Sequence, residues 1–316
     1  MILKVFGAAF SRKTPAFVII TWIGRLIEEQ MRKGYRYITV RKDEKFSNSI
    51  DSCIDDFSEG MGYQRLVDKF VDREDFISGF FSYRPNREFN AALRQLLSKD
   101  RAIFGVGSGF GEHEILFHLD GFRITASDIV EFPLKVTSGI FPDFKVRFFD
   151  IFGSSLPEAC DDLLITGLDS YFDDTKVKQL FNNTVVILRK LAGQKQKRLI
   201  FVLRYQDNPF TWFIDRLLLP FEAALKNLCF KLIRANKICR KKHHGNRRSI
   251  REISFFAANS GYKLNRLMFA GFGAELHRSS MLNRFPLLQK IISFCDKFLK
   301  VFNSIIIFEF ILPVED

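Results

Sequence analysis

A run of alternating glycines, Gly105-Val-Gly107-Ser-Gly109-Phe-Gly111, followed at once by Glu112 and His113, is the stretch of this 316-residue sequence with the clearest chemical character. It closes a short apolar segment, 102–106, and a helical pattern starts at Gly111. Glycines let a chain turn sharply from strand to helix and let a ligand lie against bare backbone, beside the partly positive helix N-terminus. The spacing excludes two common uses of such a turn. Counted from Gly107 the sixth position is Glu112, and from Gly105 it is Phe110, so neither register completes G-x-G-x-x-G; no Gly-Lys-Ser/Thr follows to make a P-loop.

Two acids stand downstream at the ends of further apolar runs. Arg123-Ile-Thr-Ala-Ser-Asp128 places a carboxylate 21 residues after Gly107, where it can accept both hydroxyls of a ribose. The competing reading of Asp128 is an N-cap for the segment that follows. Val146-Arg-Phe-Phe-Asp150-Ile-Phe places a second acid where it can accept from an adenine amino group, with Ile151 and Phe152 as apolar neighbours. In open α/β sheets, ligands bind outside the carboxyl ends of the strands, so three successive strands with ligand-type residues there point to one site.

The elements that must position these residues alternate. Short apolar runs at 102–106, 122–126, 145–149, 162–166, 199–205, 262–269 and 304–312 are separated by helical patterns at 111–119, 175–191, 211–233, 249–260 and 286–301. Strand, helix, strand predicts an α/β domain with a seven-stranded, mostly parallel, doubly wound sheet over 96–316. Residues 1–95 read as a helical extension or cap, with amphipathic stretches at 17–31, 57–71 and 86–97 and a loop after Arg41. A basic helical insertion is expected at about 209–248.

With these residues in view, the stretch from about 101 to 312 resembles a class I S-adenosylmethionine-dependent methyltransferase. Gly107, Gly109 and Gly111 match that family's first motif, Asp128 its ribose-binding acid and Asp150 the acid beside adenine. Asp161-Asp162-Leu-Leu-Ile-Thr-Gly-Leu-Asp169 corresponds to its fourth strand and following loop, Lys190-Leu-Ala-Gly-Gln with Arg198-Leu-Ile-Phe-Val-Leu to the turn into its fifth, and Ser260-Gly-Tyr-Lys-Leu264 to the turn into its sixth. The resemblance implies S-adenosylmethionine as methyl donor, held by those five residues. There is one departure: the family carries an acid two residues before the first motif glycine, near the methionine end of the cofactor, and here that place is Gly105. Glu112 is the carboxylate expected to take over. The alternative is a non-catalytic Rossmann-like binding or scaffold protein that has kept the fold and lost turnover.

Methyl transfer from a sulfonium needs alignment, exclusion of water and sometimes a base, so no fixed catalytic residue is required. In the loop after the fourth strand, Asp169 is the candidate base or acceptor ligand, beside Tyr171, Asp173 and Asp174; the same acids also read as the first turn of the next helix. An Asn-Pro-Pro-Tyr motif for amide or exocyclic amine methylation is absent; Asp207-Asn-Pro-Phe210 follows the fifth strand and reads as a turn and helix start. His113 is expected on the surface of the first helical turn. His118, His243, His244 and His277 show no metal-ligand spacing, and no metal is expected.

The formal net charge is +12, and the excess is concentrated: residues 186–251 hold 17 Lys or Arg and only three acids, Asp207, Asp215 and Glu222. The cations at 226–251 are expected to meet an anionic membrane surface peripherally, or else to form a solvated helix face. With Phe230 the only aromatic among them, nucleic acid is the less favoured partner. A small-molecule or lipid- or sugar-linked acceptor is expected instead. Five cysteines without a C-x-x-C pair indicate a reducing compartment. No signal peptide or run of about 20 apolar residues is evident, so the expected location is the cytoplasm, at most peripheral to the inner membrane face.

Overall fold

The computed structural model describes residues 33–43, 72–81, 84–153, 159–190, 196–204, 208–270, 303 and 305–313. In chain order the elements are β1 (Lys33–Arg41), α1 (Arg73–Phe81), α2 (Arg84–Arg94), β2 (Ala102–Val106), α3 (Glu112–Leu119), β3 (Arg123–Asp128), α4 (Glu131–Ile140), β4 (Val146–Phe148), β5 (Asp162–Thr166), α5 (Asp174–Lys190), β6 (Arg198–Leu203), α6 (Pro209–Phe213), α7 (Leu219–Leu232), β7 (Lys237–Asn246), α8 (Ile250–Asn259), β8 (Lys263–Ala270) and β9 (Ile305–Ile311). The expected helices at 17–31, 57–71 and 286–301 lie outside the described residues.

The expected doubly wound sheet is present. Seven strands run in the order β4-β3-β2-β5-β6-β9-β8, all parallel except β9, which is antiparallel to both neighbours. The central strands are apolar on both faces because each face is covered. On β6, Leu199, Phe201 and Leu203 face α5 and α8, packing with Phe181, Leu188, Phe256 and Tyr262. Ile200 and Val202 face the other layer, with Phe89 and Leu93 of α2 and Ile115 and Phe117 of α3. Helix α2 thus contributes its apolar side to the core of the sheet, immediately before residue 95.

The insertion differs from expectation. It is helical only to Leu232, with a single π turn at Ile214–Leu218 between α6 and α7. Lys237–Asn246 is a strand, paired antiparallel along its whole length with β1. A charged run reads as a helix face when scanned locally, whereas here its backbone is satisfied by a strand some 200 residues earlier, a pairing no local pattern reveals. Asn227 ties α7 to this ribbon: its Oδ1 accepts from the Cys239 N–H at 2.6 Å and its Nδ2 donates to the Cys239 carbonyl at 3.2 Å.

At the amino-terminal edge of the parallel strands, Asp162 is fully buried. Its carboxylate receives the Arg101 guanidinium at 2.7 Å and that of Arg198 at 2.6 Å, and Arg198 also donates to Glu309 at 2.6 Å. One carboxylate therefore joins the segment entering β2 to β5 and β6, and through Arg198 to β9. Removing one member of such a network leaves the others buried and uncompensated. Asp162→Asn should lower the unfolding free energy by about 3–5 kcal/mol, measured by urea titration, with a much smaller loss for replacement of an exposed acid such as Asp143.

Candidate functional site

The glycine turn is shaped by backbone conformations that disfavour side chains. Gly107, Gly109 and Gly111 have φ of 70°, 59° and 69°, the left-handed region. A Cβ at Gly107 would also overlap the Leu168 side chain from the loop after β5. The turn is braced from beneath: Ser108 N–H donates to the Ser127 carbonyl at 2.8 Å, Ser127 Oγ to the Gly105 carbonyl at 2.6 Å, and Thr137 Oγ1 to the Phe110 carbonyl at 2.7 Å.

The place left by Gly105 is filled. A Cβ on Gly105 would meet Glu114 Oε1 at 2.6 Å and Ser108 Oγ at 2.8 Å. Glu114, in the first turn of α3, projects its carboxylate back beneath the turn, where Ser108 Oγ donates to it at 2.8 Å. The carboxylate that occupies the side-chain place of Gly105 is that of Glu114. Burial pushes the Glu114 carboxyl up to about 7, against the Ser108 hydrogen bond that holds it down. Glu112 is also raised by burial.

Asp128 and Asp150 both stand at the carboxyl edge. Asp128 is buried and braces the turn, accepting from Gly109 N–H at 2.8 Å and Val130 N–H at 2.9 Å. It does not cap α4, whose N-cap position is Val130 without a side-chain cap, and each of its oxygens keeps a second lone pair. Asp150 lies two residues past the end of β4, and its Oδ1 accepts from Phe152 N–H at 2.8 Å. Burial is the largest influence on Asp128 and raises its carboxyl.

The loop after β5 separates its acids. Asp173 caps α5, accepting from Lys176 N–H at 2.8 Å, and Asp174 receives Arg248 at 3.1 Å. Asp169 is 1% exposed, and neither carboxylate oxygen has a hydrogen-bond partner among the described residues. The nearest cation is Arg248, at 3.9 Å. That distance leaves an ion pair without a hydrogen bond, and desolvation prevails, raising the Asp169 carboxyl to about 7. Arg248 itself holds the loop by donating to the carbonyls of Asp169 and Phe172.

Two arginines expected on the basic surface are therefore interior. Arg247 and Arg248 are 1% and 2% exposed, Arg247 pairing with Asp215 at 3.0 Å. His113 is likewise buried, not on the surface, because its ring bridges two elements: Nδ1 meets Asn90 Oδ1 at 3.0 Å and Nε2 meets Arg204 Nη2 at 2.7 Å. Burial, then the neighbouring Arg204, holds His113 well below its ordinary range, so it is neutral, with Nδ1–H donating to Asn90 and Nε2 accepting from Arg204. Arg204, just past β6, is a site residue that sequence reading missed; only its place at a strand's carboxyl end signalled it. Asn90 Nδ2 and Thr166 Oγ1 are further buried polar atoms without a hydrogen-bond partner among the described residues. Asn208 Oδ1 accepts from Thr211 N–H at 2.9 Å, so Asn208-Pro209 starts α6 as expected. Among the described residues no cluster has the makings of a metal site.

No protein-family model matches the sequence, and no curated protein matches it. Solved structures do align. The magnesium protoporphyrin IX methyltransferase of Synechocystis PCC 6803 with bound S-adenosylmethionine is 11% identical, covering 85% of this chain and 100% of its own, with a TM-score of 0.48. N-methyltransferase NodS of Bradyrhizobium japonicum WM9, in complex with S-adenosylhomocysteine, is 12% identical over 80% of this chain and 98% of its own, TM-score 0.45. Against the pyocyanin biosynthetic protein PhzM, 15% identical with a TM-score of 0.45 over 72% of this chain, the chain spans about half the length of the match, 55%.

The two raised carboxyls fix a pH dependence. Glu114 and Asp169 ionise near 4.5 and 3.8 when unperturbed and near 7 in the fold. Below both ordinary values each is protonated in either state and costs nothing. As pH rises toward 7 the unfolded chain gives up protons that the fold retains, so their contribution to stability is lost and then levels off. Urea midpoints measured across this range should fall more steeply for the wild type than for Glu114→Gln or Asp169→Asn. Parallel slopes in all three would contradict the assignment.

Proposed function

We propose that the protein is an S-adenosylmethionine-dependent methyltransferase. The observation that carries this reading is the Glu114 carboxylate standing in the side-chain place of Gly105, beneath three left-handed glycines. The surrounding groups suit that cofactor's chemistry. It is a cation bearing hydroxyl and amino donors, and the edge offers it carboxylates: Glu114 under the turn, Asp128 at the end of β3 and Asp150 past β4. A buried carboxyl raised to about 7 gains most from a positively charged ligand, which replaces solvent as the partner of its ionised form.

When bound, this cofactor supplies an electrophilic methyl group on a good leaving group. The chain's own task is to hold the acceptor in line and to take its proton. Asp169 has the properties of that base: a buried carboxylate, ionising near neutral pH, with no side-chain hydrogen bond among the described residues. Its oxygen would receive the acceptor's proton, freeing the acceptor's lone pair for a methyl group whose bond to sulfur would break with the electron pair left on sulfur. Arg204, held by neutral His113, and the open Asn90 Nδ2 and Thr166 Oγ1 furnish polar contacts to orient the acceptor. Such groups suit a small polar molecule or the polar head of a sugar- or lipid-linked one, in a cytoplasmic setting.

Calorimetric titration with S-adenosylmethionine and S-adenosylhomocysteine tests the cofactor. Micromolar binding, about −8 kcal/mol, is expected. Loss of a charge-assisted contact costs about 1.5–3 kcal/mol, so Glu114→Gln should weaken binding roughly tenfold to a hundredfold, whereas Glu112→Gln should change it far less. No binding to the folded wild type would favour a non-catalytic binding protein. With an acceptor in hand, Asp169→Asn should lower turnover by about 10²–10⁴ with cofactor affinity retained.

A further inference from the structure

Helix α7 presents its faces inside out. Its buried side carries Leu219 and Ala223 but also Glu222, whose carboxylate is met by Lys226 at 2.8 Å, and Asn227 is spent on the β7 backbone. The outward side is apolar. Leu217, Phe221, Leu225, Leu228 and Leu232 recur every three or four residues and form one stripe, with Phe221 61% and Leu232 74% exposed; Phe213 and Ile233 extend it at either end. The stripe runs for about 22 Å at 1.5 Å per residue. Exposed apolar residues scattered singly need no explanation, but a continuous stripe on a helix that buries a carboxylate does.

The unpaired charge of the segment itself is of one sign. Between Phe213 and Asn246 the only acids are Asp215 and Glu222, and each is committed, to Arg247 and to Lys226. Lys231, Arg234 and Lys237 stand exposed where the stripe ends, and the exposed acid described beside them, Asp43, is paired with Arg41 at 3.5 Å. No helix among the described residues is long and apolar enough to cross a membrane. An apolar face with an excess of cations at its end suits a helix lying in the plane of a bilayer surface, with leucines among the acyl chains and amines at anionic headgroups.

We propose that the α7 stripe docks the protein on an anionic lipid surface. Strand β7 links this surface to the loop that bears Asp169: it starts at Lys237 beside the stripe's end and finishes at Gly245, packed against Ser170, and at Asn246, whose Nδ2 donates to the Phe172 carbonyl at 2.8 Å. The proposal is read from exposure and charge, and it stands or falls independently of methyl transfer.

The experiment is co-flotation of the purified full chain with vesicles of phosphatidylcholine alone and of phosphatidylcholine mixed with phosphatidylglycerol. Binding to the mixed vesicles, weakened by salt, is expected. Each interfacial cation contributes about 1 kcal/mol, a factor of roughly five, so Lys231→Gln, Arg234→Gln and Lys237→Gln together should weaken binding on the order of a hundredfold. Phe221→Ser with Leu228→Ser should abolish it while leaving the melting temperature unchanged. Three results would overturn the proposal: no flotation of folded protein, a large drop in melting temperature for the serine variant, which would mean that the chain itself covers the stripe, or a dimer in sedimentation that the same variant dissolves.

Discussion

The arrangement of the parallel strands depends on a buried carboxylate that cannot be left alone. Asp162 is inaccessible to water, and only the guanidiniums of Arg101 and Arg198, at 2.7 and 2.6 Å, make its charge tolerable there. Because Arg198 also binds Glu309, β2, β5, β6 and β9 are registered at their shared edge by charge, in addition to the sheet's own hydrogen bonds. Fixing one edge in this way leaves the opposite edge free to be built of turns. There the chain places groups that a stable core would reject: carboxylates raised to about 7 at Glu114 and Asp169, and buried polar atoms on Thr166 and Asn90 without hydrogen-bond partners among the described residues. Unsatisfied polar groups are tolerated where function requires them and the rest of the fold supplies the stability.

The glycine turn shows how the side-chain space of one position can be occupied by a residue nine positions later. Gly105 has no side chain, and Glu114 reaches into the volume a side chain there would need. The two positions are coupled by space alone: a larger residue at 105 would collide with the Glu114 carboxylate, and without Glu114 the place would be empty. Ser108 bridges them, donating to Glu114 from within the turn. A linear motif read position by position registers only the loss of an acid. The spatial arrangement shows a carboxylate delivered from the other side of the same turn.

This difference explains what was legible in the sequence. Strands such as Ala102–Val106, Asp162–Thr166 and Arg198–Leu203 are short apolar runs bounded by charge or glycine, and local hydrophobicity finds them. The positions of Gly107, Asp128 and Asp150 at the carboxyl edge follow once the strands are known. What escaped were facts decided by distant partners. Arg247 and Arg248 belong to a cationic run, and Asp215, Asp174 and the carbonyls of Asp169 and Phe172 help make their burial tolerable. His113 has the place of a surface residue in a first turn, and Asn90 and Arg204 help make it an interior strut. Strand β7 exists because β1 is there to pair with it.

The same logic bears on α7. A helix normally buries its apolar side because that is where the free energy lies, at about 25 cal/mol for each Å² removed from water. Here Glu222 is buried beside Leu219 and Ala223 and met by Lys226, and Asn227 is bound to the β7 backbone, so hydrogen bonds and charge share with apolar burial in setting the helix's rotation. With that rotation set, Phe221, Leu225 and Leu228 have no route to the core. The polar anchorage to β7 thus both exposes the stripe and links it, through Gly245 and Arg248, to the loop carrying Asp169. That link is a strand tied along its length to a neighbouring one.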